Sequence, residues 1–233
     1  MTRARWLLAA VAVAVAGCTL RGEPHGQSLV GQPAKIEDFD TLWRTNCGGC
    51  HGSDGRGGAA LGLANPIYLA IADDATLRRA TANGVAGTTM PAFAESAGGM
   101  LTTKQVDVIV GGMRTRWANT AALAGATPPP YLGPPGDAAR GGTVFAGACA
   151  SCHGSDGTGG KIGHSIVDGS YLALVSAQGL RTLLIAGRPD LGQPDWRGDQ
   201  PGHALSSQEV ADLVAWLVKH RPEFPGQPYT SSR

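Results

Sequence analysis

The pentapeptide Cys-x-x-Cys-His occurs twice, as Cys47-Gly48-Gly49-Cys50-His51 and as Cys149-Ala150-Ser151-Cys152-His153, and together the two copies use four of the five cysteines. Two thiols and an imidazole within five residues must converge on one bound group. A thioredoxin-like redox pair needs a βαβ setting, and neither copy sits in one. A zinc site needs the two copies to meet as four thiolates, or two further ligands from elsewhere.

The remaining reading is covalent attachment of c-type haem, for which this pentapeptide is the signature. The two thiols add across the haem vinyl groups as thioethers, and the adjacent histidine reaches the iron from one face. The spacing matters because both sulfurs must meet vinyls on the same porphyrin edge.

Around these motifs the chain repeats itself. His51 to Gly58 returns as His153 to Gly160 at an offset of 102; Tyr68-Leu69-Ala70 and Leu77-Arg78 return at 103; Leu101-Thr102 and Val106 return at 104. Two single-residue insertions account for the drift. The repeat assigns each motif to its own domain, 35–118 and 137–222, joined by 119–136 and followed by a tail, 223–233. The joining segment carries Pro128-Pro129-Pro130 and Pro134-Pro135 and reads as a semi-stiff spacer.

Each domain reads as all-α. Phe39, Leu42 and Trp43 stand at helical spacing before the first motif, and Val144 and Phe145 hold the equivalent place in the second. Thr102-x-x-Gln105 and Ser206-x-x-Glu209 read as capping boxes. The stripes Val106, Ile109, Val110, Met113 and Val210, Leu213, Val214, Leu217 follow them. Middle helices should end at Asn83-Gly84 and near Gly187. Domains this small have little core of their own, and a covalent haem would add apolar surface.

Each half resembles a class I cytochrome c domain in its Cys-x-x-Cys-His-Gly and its terminal helix, the first also in its downstream Met-Pro, and the whole is similar to the diheme c-type cytochromes of bacterial respiratory chains. The resemblance implies three main helices around each haem, two covalently bound haem c, histidine–methionine iron and electron transfer. Met90, followed by Pro91, stands where the family places its second iron ligand, with Met100 as the fallback. At the matching position the second half has Gln193-Pro194, and no methionine follows Met113. Four occupants of the second iron's sixth position stay open: Gln193 through its amide oxygen, His203, His164, or none but water. Gln193 near the iron is the favoured expectation.

The fifth cysteine ends a different segment. Arg3 and Arg5 precede an apolar run, Trp6 to Ala16, that is shorter than a membrane span of about 20 residues and fits a signal-peptide core. Val15-Ala16-Gly17-Cys18 resembles a bacterial lipobox, which implies cleavage before Cys18, lipidation of that residue, and a tether over 18–34. Export agrees with haem attachment, since the resemblance implies maturation outside the cytoplasm. Lys and Arg number 19 against 18 Asp and Glu, and no dense basic run exists, so nucleic acid is not an expected partner.

These readings describe a lipid-anchored carrier on the periplasmic side of a bacterial membrane. It would pass single electrons from a quinol-oxidising complex or dehydrogenase to a terminal oxidase. The alternatives are a cytochrome subunit of a larger oxidoreductase, or a peroxidase or sulfur-compound dehydrogenase using the second iron, with His164 and Asp168 as the candidate acid–base groups.

If Cys18 is the anchor, wild-type protein will fractionate with membranes, and Cys18→Ser will be released or left unprocessed. A wild type recovered wholly in the soluble periplasmic fraction contradicts the lipoprotein expectation.

Overall fold

A computed structural model describes residues 33–198 and 203–223. Cys18 and the apolar run before it lie outside these residues, as do 18–32 of the expected tether and 224–233 of the tail. The chain divides into two units, Met1–Ile36 and Glu37–Arg233. In the first, Pro33–Lys35 forms a 3-10 turn closed by Ile36 N–H donating to the Pro33 carbonyl at 3.2 Å. Both halves of the repeat fall in the second unit. Among the described residues there is no strand, only three isolated bridges, and no helix long and apolar enough to cross a membrane.

The first half runs α1 (Phe39–Asn46), α2 (Gly48–His51), α3 (Pro66–Ile71), α4 (Asp74–Asn83) and α5 (Thr103–Trp117). The second repeats it as α6 (Ala138–Ala148), α7 (Ala150–His153), α8 (Gly169–Leu174), α9 (Ala177–Ala186) and α10 (Ser207–Lys219). Thr102 and Ser206 make the two expected capping boxes, and Gly84 and Gly187 follow the middle helices with positive φ. The short helices α3 and α8 add to the three main helices of each half. Six residues are too few to show a helical period. Their starts are set by Asn65, whose Oδ1 accepts from the Ile67 and Tyr68 amides ahead of Pro66, and by Asp168, which accepts from Tyr171.

In each half the helix before the motif packs on the last helix, and a glycine permits the approach. A Cβ on Gly112 would lie 2.0 Å from the Phe39 ring, and one on Gly141 would lie 2.0 Å from the Asp212 carbonyl. Phe39, Trp43 and Trp117 cluster around the first contact, with the Trp43 and Trp117 rings edge-on at 4.7 Å. Phe145 stacks on Trp216 at 4.3 Å in the second. The stripe Val106, Ile109, Val110 and Met113 is buried throughout; Val210, Leu213 and Leu217 are buried, with Val214 partly so.

Asp212, buried in the middle of α10, ties the two ends of the second half together. Its carboxylate accepts from the Asp137 amide at 2.7 Å, from Arg140 Nε and Nη2 at 2.8 and 2.9 Å, and from Gln208 Nε2 at 3.0 Å. The Arg140 hydrogen bonds, with the backbone donor, pull its pKa down to about 2.

The proline-rich spacer is not free along its length. Thr120–Leu123 forms a 3-10 turn, and Pro129 is buried. Arg181, 4% exposed, donates to the Pro130 and Tyr131 carbonyls at 2.8 and 3.0 Å and to Ser207 Oγ at 3.0 Å. The guanidinium is held by neutral oxygens, so its burial binds the spacer to α9 and α10.

Replacing Asp212 with Asn should lower stability by about 2 kcal/mol at pH 7, the scale of a charge-assisted hydrogen bond. Because the folded pKa is depressed, the carboxylate's contribution is complete above its ordinary pKa of about 4 and fades as pH falls toward 2. Urea melts of both proteins at pH 7 and pH 3 should therefore show a smaller gap at the lower pH; a constant gap would mean that packing alone holds this site.

Candidate functional site

Each motif forms a single helical turn directly after the first helix of its half. Cys47 N–H continues α1 by donating to the Trp43 carbonyl at 2.8 Å, and Cys149 N–H does the same to Phe145 at 2.9 Å. The turn brings the two thiols of a motif to one side with the histidine beside them. All four thiols are free; Cys47 is buried and Cys50 exposed. Burial pushes the thiol pKa of Cys47 up to about 12 and that of Cys149 to about 11, so both are protonated at neutral pH. That disfavours the thiolate of a disulfide-exchange pair. Among the described residues no group of three or more His, Cys, Asp or Glu is placed to hold a metal ion.

The histidines carry the most informative geometry. His51 Nδ1 lies 2.7 Å from the Leu61 carbonyl, and His153 Nδ1 lies 2.8 Å from the His164 carbonyl. A carbonyl only accepts, so each Nδ1 is the donor, and in the neutral ring Nε2 is the nitrogen left to bind a metal. His51 is buried, and desolvation lowers its pKa, favouring the neutral ligand form. Trp43 Nε1 donates to the Gly52 carbonyl at 2.9 Å and steadies the chain next to His51. Gly163 is required in the second half, since a Cβ there would sit 2.7 Å from His153 Nδ1.

Met90 and Gln193 occupy equivalent turns. Val85 N–H donates to the Met90 carbonyl at 3.1 Å, as Arg188 N–H does to the Gln193 carbonyl at 3.0 Å. Gly84 and Gly187 precede these turns, and a Cβ on either would strike the backbone of Met90–Pro91 or Pro194. Both side chains are half-buried. Gln193 Nε2 donates to the Leu183 carbonyl at 3.3 Å, which leaves Oε1 as its donor atom. Met100, the fallback, is 81% exposed.

The other candidates are occupied elsewhere. His164 serves His153 through its backbone while its side chain is exposed. His203 is exposed and pairs with Glu209 at 3.2 Å. Asp168 caps α8. Sequence reading did not find the Leu61 and His164 carbonyls, because a backbone acceptor has no residue signature. They lie ten and eleven residues after their histidines, one of the insertions noted above falling between. The set fits a thioether-linked haem: paired thiols, an imidazole anchored by a backbone carbonyl, and a second donor on the equivalent turn of each half.

A model of the cytochrome c family matches residues 138–221, and a model of subunit III of cbb3-type cytochrome c oxidase matches 34–110. The chain is similar to the cbb3-type cytochrome c oxidase subunit FixP of Sinorhizobium medicae, 33% identical over 132 residues, 52% of this chain and 39% of that protein. It is similar to the subunit CcoP of Cereibacter sphaeroides at 30% over 131 residues, 52% of this chain and 40% of that protein. The chain thus spans about two fifths of the length of these curated relatives. A motif turn with a carbonyl-fixed histidine in each half, and a cytochrome match over each half, identify the chain as a diheme c-type cytochrome, two tandem cytochrome c domains with a covalent haem c in each.

Proposed function

We propose that this cytochrome is a single-electron carrier with two unequal irons. One observation carries the reading: His51 and His153 stand at equivalent places with Nδ1 bound to a carbonyl and Nε2 free for iron. Cys47 and Cys50 hold one haem and Cys149 and Cys152 the other. His51 and Met90 are the axial pair in the first domain, and His153 and Gln193 in the second. When bound, haem c supplies one-electron exchange between ferric and ferrous iron.

The chain sets the terms of that exchange. The Met90 thioether is soft and favours ferrous iron, raising the potential of the first site. The Gln193 amide oxygen is harder, which lowers the potential of the second. The carbonyls of Leu61 and His164 orient each imidazole, and burial of His51 disfavours its charged form. Burial of His51 keeps water from the proximal side of the first site.

Lipidated Cys18 would hold the carrier on the extracytoplasmic face of a membrane, between a quinol-oxidising complex or dehydrogenase and a terminal oxidase. The names of the curated relatives, both oxidase subunits, favour an acceptor of that class, and they equally support a second reading as a cytochrome subunit fixed in such a complex. The peroxidase or sulfur-dehydrogenase reading loses its acid–base pair, since the Asp168 carboxylate is committed to a helix cap and the His164 side chain is exposed.

The discriminating experiment is Gln193→Met. The oxidised wild type should show the sulfur-to-iron charge-transfer band of one haem, lost in Met90→Ala and doubled in Gln193→Met. The Gln193→Met protein should also titrate higher at its second haem, bind cyanide at least about tenfold more weakly, and still deliver electrons to an oxidase. Peroxide or sulfur-substrate turnover that the wild type supports and the variant loses would establish the enzyme reading instead.

A further inference from the structure

The turn that carries Gln193 differs from its counterpart in more than that residue. At the repeat offset of 103, Val85, Gly87 and Met90 of the first domain become Arg188, Asp190 and Gln193. These three are among six changes, one at every position of a six-residue turn closed by reciprocal backbone hydrogen bonds between Arg188 and Gln193 at 3.0 Å. Arg188 therefore stands directly across from Gln193.

The two charged newcomers face the first domain. Arg188 grips Asp190 through Nε and Nη2 at 2.8 and 2.7 Å, and the same Nη2 donates to the Gly58 carbonyl at 3.1 Å. The Arg188 side chain is only 14% exposed. Asp190 lies against Gly57, where a Cβ would fall 2.4 Å from its Oδ2. Gly57 and Gly58 belong to the loop that follows His51, and Gly57 N–H donates to the His51 carbonyl at 3.2 Å. A second, buried link lies alongside: Asn65 Nδ2 donates at 2.8 Å to the carbonyl of Ala186, the last residue of α9 and two residues before the turn, while its Oδ1 caps α3. A continuous run of hydrogen bonds therefore joins the backbone beside the first proximal histidine to the backbone that presents Gln193.

We infer that Arg188, Asp190 and Asn65 are positioning residues by which the first domain completes the distal side of the second haem site, holding Gln193 in place over that iron. The inference rests on Gln193 being the sixth-position residue. The Met90 turn is held from within, where Thr88 Oγ1 donates to the Val85 carbonyl at 2.8 Å and accepts from the Met90 amide at 3.1 Å; leucine stands at the Thr88 position in the second domain. An amide oxygen is a weaker donor, and a turn carrying one gains from outside support. The same contact fixes the spacing of the two domains, so electron exchange between the haems depends on it as well.

The test uses the intact diheme protein in its wild-type, Arg188→Val, Arg188→Lys, Asn65→Ala and Gln193→Met forms, with cyanide as the probe of the ferric irons. Arg188→Val restores the first domain's residue at that place and is compatible with folding of the turn. Loss of one or two hydrogen bonds should raise cyanide affinity at the second haem about five- to tenfold in Arg188→Val and in Asn65→Ala. Arg188→Lys should recover part of the loss. The sulfur-to-iron band of the first haem should be unchanged in these three variants, and electron equilibration between the haems after flash reduction should slow in Arg188→Val. Wild-type cyanide affinity and equilibration rate in Arg188→Val and Asn65→Ala, with Gln193→Met still blocking cyanide, would overturn the inference while leaving the ligand assignment intact. Cyanide binding that Gln193→Met leaves untouched would remove the ligand assignment, and the inference with it.

Discussion

The structure depends on a close packing of helices made twice. In each half the helix before the motif can reach the last helix only because one of them lacks a side chain at the contact, at Gly112 in the first half and Gly141 in the second. Aromatic rings close around the contact from either side. The motif turn begins where the first helix ends, so this contact decides where both thiols and the histidine emerge. A β-carbon at either glycine would displace the motif as well as the helix.

From that placement the chemistry follows through a small number of polar contacts. A backbone carbonyl accepts a hydrogen bond from Nδ1 of each histidine, which leaves Nε2 as the ring nitrogen able to bind a metal. A turn that follows Gly84 or Gly187 carries Met90 in one domain and Gln193 in the other. The two halves share the fold of this turn while its residues differ at every position, 85–90 against 188–193. Arginines secure the periphery by the same kind of bond. Arg114 donates to the Leu69 and Ala72 carbonyls at the end of α3, and Arg221 to the equivalent Leu172 and Val175 carbonyls at the end of α8, although the two arginines do not correspond in the repeat.

Side-chain signals were legible in the sequence and backbone signals were not. The thiols and histidines announce themselves by spacing, the last helices by their capping boxes and apolar stripes, and the contrast of Met90 with Gln193 by the repeat offset. The short helices α3 and α8 escaped because six residues carry no period. The carbonyls of Leu61 and His164 escaped because every residue has one. The spacer reads as proline-rich and extended, yet its docking depends on Arg181, about fifty residues away and unremarkable in its own helix. Contacts between the domains, such as Asn65 with Ala186, join positions with no pattern between them.

The claim on which everything else stands is that each motif turn holds one haem through its own pair of thiols. Intact mass of the denatured protein, matured in a host competent for cytochrome c assembly, tests it directly. The wild type should carry two haems, and a protein with Cys149→Ala and Cys152→Ala should carry one, retained on the N-terminal fragment after cleavage in the spacer. A single haem or none on the wild type, or two haems surviving the double substitution, would contradict the account.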